Sequence, residues 1–220
     1  MKRYLLPAAL AALVIAGCGG GSTKTTSGSA GSSSSSSSSG GVQLGPAFGS
    51  FSTLPGTQRT VPPWNADDGT SLRGRLKAMG LAPLPQEGTV VHIHQHLDLY
   101  VNGQKVTVPA LIGISEVGQF FSPLHTHDPT GIIHVESATA SSFSLGEFFG
   151  VWGVQLTRTT IGSLHTGNGK VLRTWVNGKP LNADPTRIVL TPHQEIVIAY
   201  GTPAQMPAQV PSSYAFPAGL

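Results

Sequence analysis

The chain has 220 residues, with 13 Lys and Arg against 10 Asp and Glu and a formal net charge of +3. Charged residues make up only 10% and form no basic run with interleaved aromatics, which argues against nucleic acid as a partner. The single cysteine, Cys18, excludes a disulfide framework, a four-cysteine zinc site and a cysteine-bound iron–sulfur cluster in the domain that follows it.

Lys2 and Arg3 open the chain, and residues 5–15 form an apolar stretch too short to span a bilayer. The stretch ends Ile15-Ala16-Gly17-Cys18. This resembles the lipobox of bacterial lipoproteins, and the resemblance covers residues 1–18 only. It implies that residues 1–17 are a signal peptide removed by cleavage. It implies further that the Cys18 sulfur carries a diacylglycerol and that the new amino group is acylated. The mature protein is then extracytoplasmic and anchored by lipid to the bacterial cell membrane, since several acyl chains on one residue hold firmly. Residues 18–63 follow as a tether. Residues 19–45 are mostly Gly, Ser and Thr, with unbroken serine over 32–39, and residues 46–63 are rich in Pro, Gly and Ser.

Residues 64–201 have the length of one independent domain. A short helix is expected over 68–80, with Leu72, Leu76 and Met79 on one face, Asp68 or Ser71 as cap and Gly80 as stop. A strand over 90–101 runs into Asn102-Gly103, a two-residue hairpin signal. The return strand over 105–114 is interrupted by Pro109. Residues 118–130 form a loop, and residues 131–137 a third strand. Ser144 and Glu147 have capping-box spacing and open a helix whose apolar face is Leu145, Phe148, Phe149, Trp152 and Leu156, ending near Thr157. A glycine-rich turn holds His165. A strand over 171–176 meets a second hairpin signal at Asn177-Gly178, and segments 187–190 and 195–200 make a closing pair. Residues 202–220, with four prolines, are expected to be extended or disordered. The fold class is α+β: one mixed or antiparallel sheet of hairpins with a packed amphipathic helix, in a β-grasp-like version. A small β-barrel with an added helix is the alternative.

Six of the eight histidines lie between His92 and His134. In a strand the side chains alternate, so His92, His94, His96 and Asp98 share one face, while Ile93, Leu97, Leu99 and Val101 share the other and face a core. His125, His127 and Asp128 sit in the loop, and His134 and Glu136 share a face of the third strand. Clustered imidazoles and carboxylates are the ligand set of a divalent metal. The candidate ligands are His92, His94, His96, His125, His127 and His134. Asp98, Asp128 and Glu136 are further ligands or acceptors that orient imidazoles. Nitrogen and oxygen ligation suits several divalent ions, with Zn²⁺ or Cu²⁺ foremost, and the scattered methionines argue against a Cu⁺ carrier. The opposing reading is a hydrogen-bonded polar network, and His165 and His193 are taken as ordinary turn residues.

No Gly-x-Ser-x-Gly elbow and no phosphate-binding glycine loop is present, so any catalysis would rest on the histidines. The His-x-His strand is reminiscent of carbonic anhydrases and cupins, but neither family's full pattern occurs. Three functions follow. The first is a membrane-tethered protein that captures, buffers or delivers a divalent metal. The second is a small hydrolytic or oxidative metalloenzyme. The third is a non-catalytic envelope interaction module.

Overall fold

The computed structural model describes residues 41–67 and 69–220; the signal segment, Cys18, the serine run and Asp68 lie outside the described residues. The element order is α1 (Leu72–Met79), β1 (Val91–Val101), β2 (Gln104–Val106), β3 (Ile114–Ser115), β4 (Phe120–Phe121), β5 (Leu124–His125), β6 (Ile132–Ser137), α2 (Leu145–Trp152), β7 (Leu156–Thr157), β8 (Thr160–Ile161), β9 (Leu164–His165), β10 (Val171–Val176), β11 (Lys179–Leu181) and β12 (Glu195–Gly201). The class is α+β, mostly sheet with two α-helices among the described residues. The main sheet runs β11-β10-β12-β1-β6-β5, with β2 also on β1; it is open, so the barrel alternative fails.

β1 organises this sheet. Its C-terminal half lies parallel to β12, from His96 opposite Glu195 to Val101 opposite Tyr200. Its other edge is antiparallel to β6 over residues 91–96 and to β2 over residues 99–101. One parallel pair among antiparallel ones makes the sheet mixed, as a β-grasp requires, but nothing further establishes that fold.

Both Asn-Gly signals act as read. Asn102 and Gly103 have φ of 52° and 82°, and Asn177 and Gly178 have 50° and 75°, the paired positive values of a tight hairpin turn. The return strand from the first turn is shorter than expected: β2 ends at Val106, before Pro109, and Ile114 pairs instead with Phe121 in a separate two-stranded sheet. Segment 187–190 does not pair with 195–200. Ile188 and Val189 bridge Leu44 and Ser144, while β12 takes β1 and β10 as neighbours.

α2 begins as its capping box dictates, with Ser144 Oγ accepting from Glu147 N at 3.2 Å and Ser144 N donating to Glu147 Oε2 at 2.7 Å. It ends at Trp152, a turn earlier than expected, because Gly153 adopts φ 76° and donates to Phe149 O. Leu156 stays buried, but on β7. The apolar pattern carried across the break without being helical beyond it. α1 keeps its expected Gly80 stop; Ser71 occupies the cap position without a side-chain bond, and the nearby carboxylate that acts is Asp67.

Arg75 of α1 is fully buried and donates through Nε and Nη2 to Val151 O at 3.1 and 3.0 Å, with Asp67 at 2.8 Å as counter-ion. It thereby satisfies a carbonyl left open at the C-terminal end of α2 and complements the helix dipole there. Phe148, Phe149 and Trp152 are buried with Leu97, Leu99, Val101, Leu124, Ile133 and Val135 in one core. The core reaches past the expected domain limits: Val42, Leu44, Phe51 and Leu54, placed in the tether by composition, are buried in it. The proline-rich tail likewise contacts the domain. Tyr214 stacks on His96 with ring centroids 3.7 Å apart, and Phe216 lies 4.9 Å from His193.

Candidate metal centre

Strand register gathers the histidines. His94 of β1 lies directly opposite His134 of β6, and His134 directly opposite His125 of β5, so the three form one row across the sheet. His92 lies opposite Glu136 in the adjacent pair. All of these side chains leave the sheet on the face opposite the apolar core, as the alternation of β1 requires. His127 joins them because His125 belongs to a strand and not, as expected, to an open loop. Between the two, Thr126 is buried and turned away, donating to Pro109 O at 2.8 Å and accepting from Ile112 N at 3.1 Å. With Thr126 fixed, His125 and His127 return to the same side.

The donor atoms converge. His125 Nε2 lies 3.2 Å from His127 Nε2 and 3.8 Å from Glu136 Oε1, and His134 Nδ1 lies 3.1 Å from Glu136 Oε1. His125, His127, His134 and Glu136 each offer a ligand atom, and these atoms all lie within 4.8 Å of one another. Donors about 2.0–2.1 Å from a tetrahedral ion stand about 3.3 Å apart, so these edges suit one Zn²⁺-sized ion. Glu87, just before β1, adds a further carboxylate with Oε1 3.1 Å from His127 Nε2.

Protonation favours ligation. Burial lowers His125 to about 4 and His94 to about 4, and burial with neighbouring histidines lowers His134 to about 3, against an ordinary 6.5. At neutral pH these rings are uncharged and hold a free lone pair. For His125 that lone pair is fixed at Nε2, because Nδ1 must donate to Ser122 O at 3.0 Å. Glu136 moves the other way, up to about 7, through burial and then through the Glu87 carboxylate beside it.

A second group consists of His92, His94 and the same Glu136. His92 Nε2 is 3.4 Å from Glu136 Oε1 and its ring is half exposed. His94 is only 4% exposed, and its Nε2 has no hydrogen-bond partner among the described residues. Beside it opens a cavity of about 300 Å³ lined by His92, Ile93, His94, Pro192, His193, Gly219 and Leu220.

Three expected ligands or helpers fall elsewhere. His96 shares the face but not the cluster: Nδ1 contacts Glu195 Oε2 at 2.8 Å and Nε2 donates to Thr130 O at 3.0 Å, so both ring nitrogens are engaged. Asp98 pairs with Lys105 Nζ at 2.6 Å and, with His96 and Glu195, forms a separate buried group whose donor atoms also lie within 4.8 Å of one another, close enough to hold an ion. Asp128 is exposed and accepts from the backbone and hydroxyl of Thr130, which is turn chemistry. Local spacing signals neither Glu87 nor Glu195. Glu195 faces His96 only through a parallel pairing about a hundred residues away in sequence, which no local periodicity signals. His165 lies on β9, bonded to Thr160 Oγ1 and away from the cluster. His193 is a turn residue with φ 57°, and its N–H donates to His94 O at 2.7 Å, while its ring borders the cavity. Comparison with known protein families, curated proteins and solved structures finds no match to this chain.

Proposed function

We propose that this chain binds a divalent transition metal, Zn²⁺ or Cu²⁺, through His125, His127, His134 and Glu136, and that it captures, buffers or delivers that ion. The observation that supports this most directly is the convergence of four donor atoms within 4.8 Å. An alternative polar network would pair the rings through hydrogens, yet His94 Nε2 remains unpartnered among the described residues. The lipobox-like Ile15-Ala16-Gly17-Cys18 supports an extracytoplasmic location, with the lipid membrane as partner through Cys18.

Elemental analysis of protein purified without a nickel column tests the reading, together with calorimetric titration of the stripped protein. Zn²⁺ or Cu²⁺ should bind more tightly than about 100 μM at neutral pH, that is, by more than about 5.5 kcal/mol. His125→Ala with His134→Ala should abolish binding at this four-donor site, whereas His165→Ala should leave it intact. Binding no tighter than that limit by both ions would refute the metal reading. Wild-type protein that never incorporates labelled fatty acid in a bacterial host would refute the anchor.

A further inference from the structure

The first donor group is complete with three nitrogens and one carboxylate oxygen, as many ligands as a tetrahedral ion takes. With His96 engaged by Glu195 and Thr130, two histidines of the same face are left over. His94 is the more telling, because a buried ring nitrogen without a partner is unfavourable unless something meets it. His92 stands beside it, ring centroids 4.9 Å apart. Both group with Glu136, whose carboxylate also serves the first set. A carboxylate has two oxygens and about four lone-pair sites, enough for two cations.

We propose that the centre is dinuclear, with a second divalent ion of the same borderline class held by His92 and His94 and with Glu136 bridging the two ions. This rests on the metal-binding reading above. The two positions differ in kind. The first has four protein ligands on three segments, as many as a tetrahedral ion takes. The second has three protein ligands beside a cavity of about 300 Å³, so it keeps a coordination position for water or a small anionic ligand. A second cation also accounts for the crowding of carboxylates. Glu136 and Glu87 converge on the same ring, with Oε1 atoms 3.8 and 3.9 Å from His125 Nε2, an arrangement that two dications would neutralise.

The test is stoichiometry. Full-chain protein in detergent, stripped by chelator, is dialysed against Zn²⁺ at pH 7.5, and metal and protein are quantified separately. Wild-type protein should plateau at two ions per chain. His92→Ala, a change at a half-exposed ring, and His92→Ala with His94→Ala should plateau at one, with affinity for the remaining ion changed less than about threefold. Glu136→Gln alters a ligand of both ions and should weaken both, the second at least tenfold; a second ion bound as tightly as in wild type overturns the bridge. A wild-type plateau at one ion overturns the dinuclear proposal and leaves the metal-binding reading standing. So does a plateau of two in both histidine variants. No bound ion in wild type removes both. Should the double variant not fold by circular dichroism, the wild-type plateau and His92→Ala decide alone.

Discussion

Lowering the pH of the metal-free protein should destabilise it, by an amount that follows from the cluster. His94, His125 and His134 are held at about 4, about 4 and about 3, whereas in the unfolded chain each titrates near its ordinary 6.5. As pH falls from 6.5 towards 4, the unfolded state takes up three protons that the folded state refuses, so folding stability falls. Glu136 acts in the opposite sense. Its folded value of about 7 lies above the ordinary 4.5, so over that range the folded state already holds a proton that the unfolded chain takes up only near 4.5, which offsets one imidazole. Three protons less one leaves two, and each is worth about 1.4 kcal/mol per pH unit, or roughly 2.7 kcal/mol in all. Solvent at the open edge of the cluster, where His92 and His127 are exposed, lowers the figure to about 1–2 kcal/mol between pH 6 and pH 5. Urea denaturation of chelator-treated protein at pH 7, 6 and 5 measures this through the transition midpoint at unchanged slope. His134→Gln should reduce the loss by about one proton's share. A midpoint that is constant or rises as pH falls from 6 to 5 would show that these rings are not held neutral by the fold.

Three further outcomes follow from residues around the centre. Trp152 is buried against Trp64 and donates to Asn65 O, so Trp152→Ala should lower stability by about 3–5 kcal/mol, and a loss below about 1 kcal/mol in chemical denaturation would remove α2 from the core. Gln95 is fully buried on the core face of β1 with neither amide atom partnered among the described residues; Gln95→Met should therefore raise the unfolding free energy by about 1–2 kcal/mol, and a fall would mean the amide is satisfied. His96→Ala leaves Glu195 buried without its partner and should lower stability by about 3 kcal/mol without changing Zn²⁺ stoichiometry, whereas loss of an ion would return His96 to the ligand set.

The local half of the site was legible in the sequence and the distant half was not. Alternation along residues 92–98 placed the histidines on one face, because a strand's side-chain period is short and unaffected by context. Both Asn-Gly turns were readable for the same reason. Separating His96 from the cluster required the parallel pairing with β12, which brings Glu195 to it across most of the domain. α2 ends before the apolar spacing does, because Leu156 continues that spacing past Gly153 and the left-handed glycine outweighs the pattern. Proline content suggested that residues 202–220 stand apart, but composition does not register one well-placed aromatic, and Tyr214 lies flat on His96.

The cluster has a fixed wall and a loose side. His94 and His134 sit within hydrogen-bonded strands, with His94 further held by the amide of His193 on its carbonyl, whereas the side chains of His127 and Glu87 are 41% and 42% exposed on segments outside the main sheet. An ion held there can leave only as quickly as its most replaceable ligands let go, so a competing chelator or recipient protein would engage at His127 and Glu87 and take over the ion stepwise while the strands stay paired. Hydrogen exchange should register this as slow amides in the paired parts of β1 and β6 and fast ones at His127 and Asp128, unchanged when the ion is withdrawn; collective opening of β1 and β6 during withdrawal would instead mean that release requires the sheet itself to come apart.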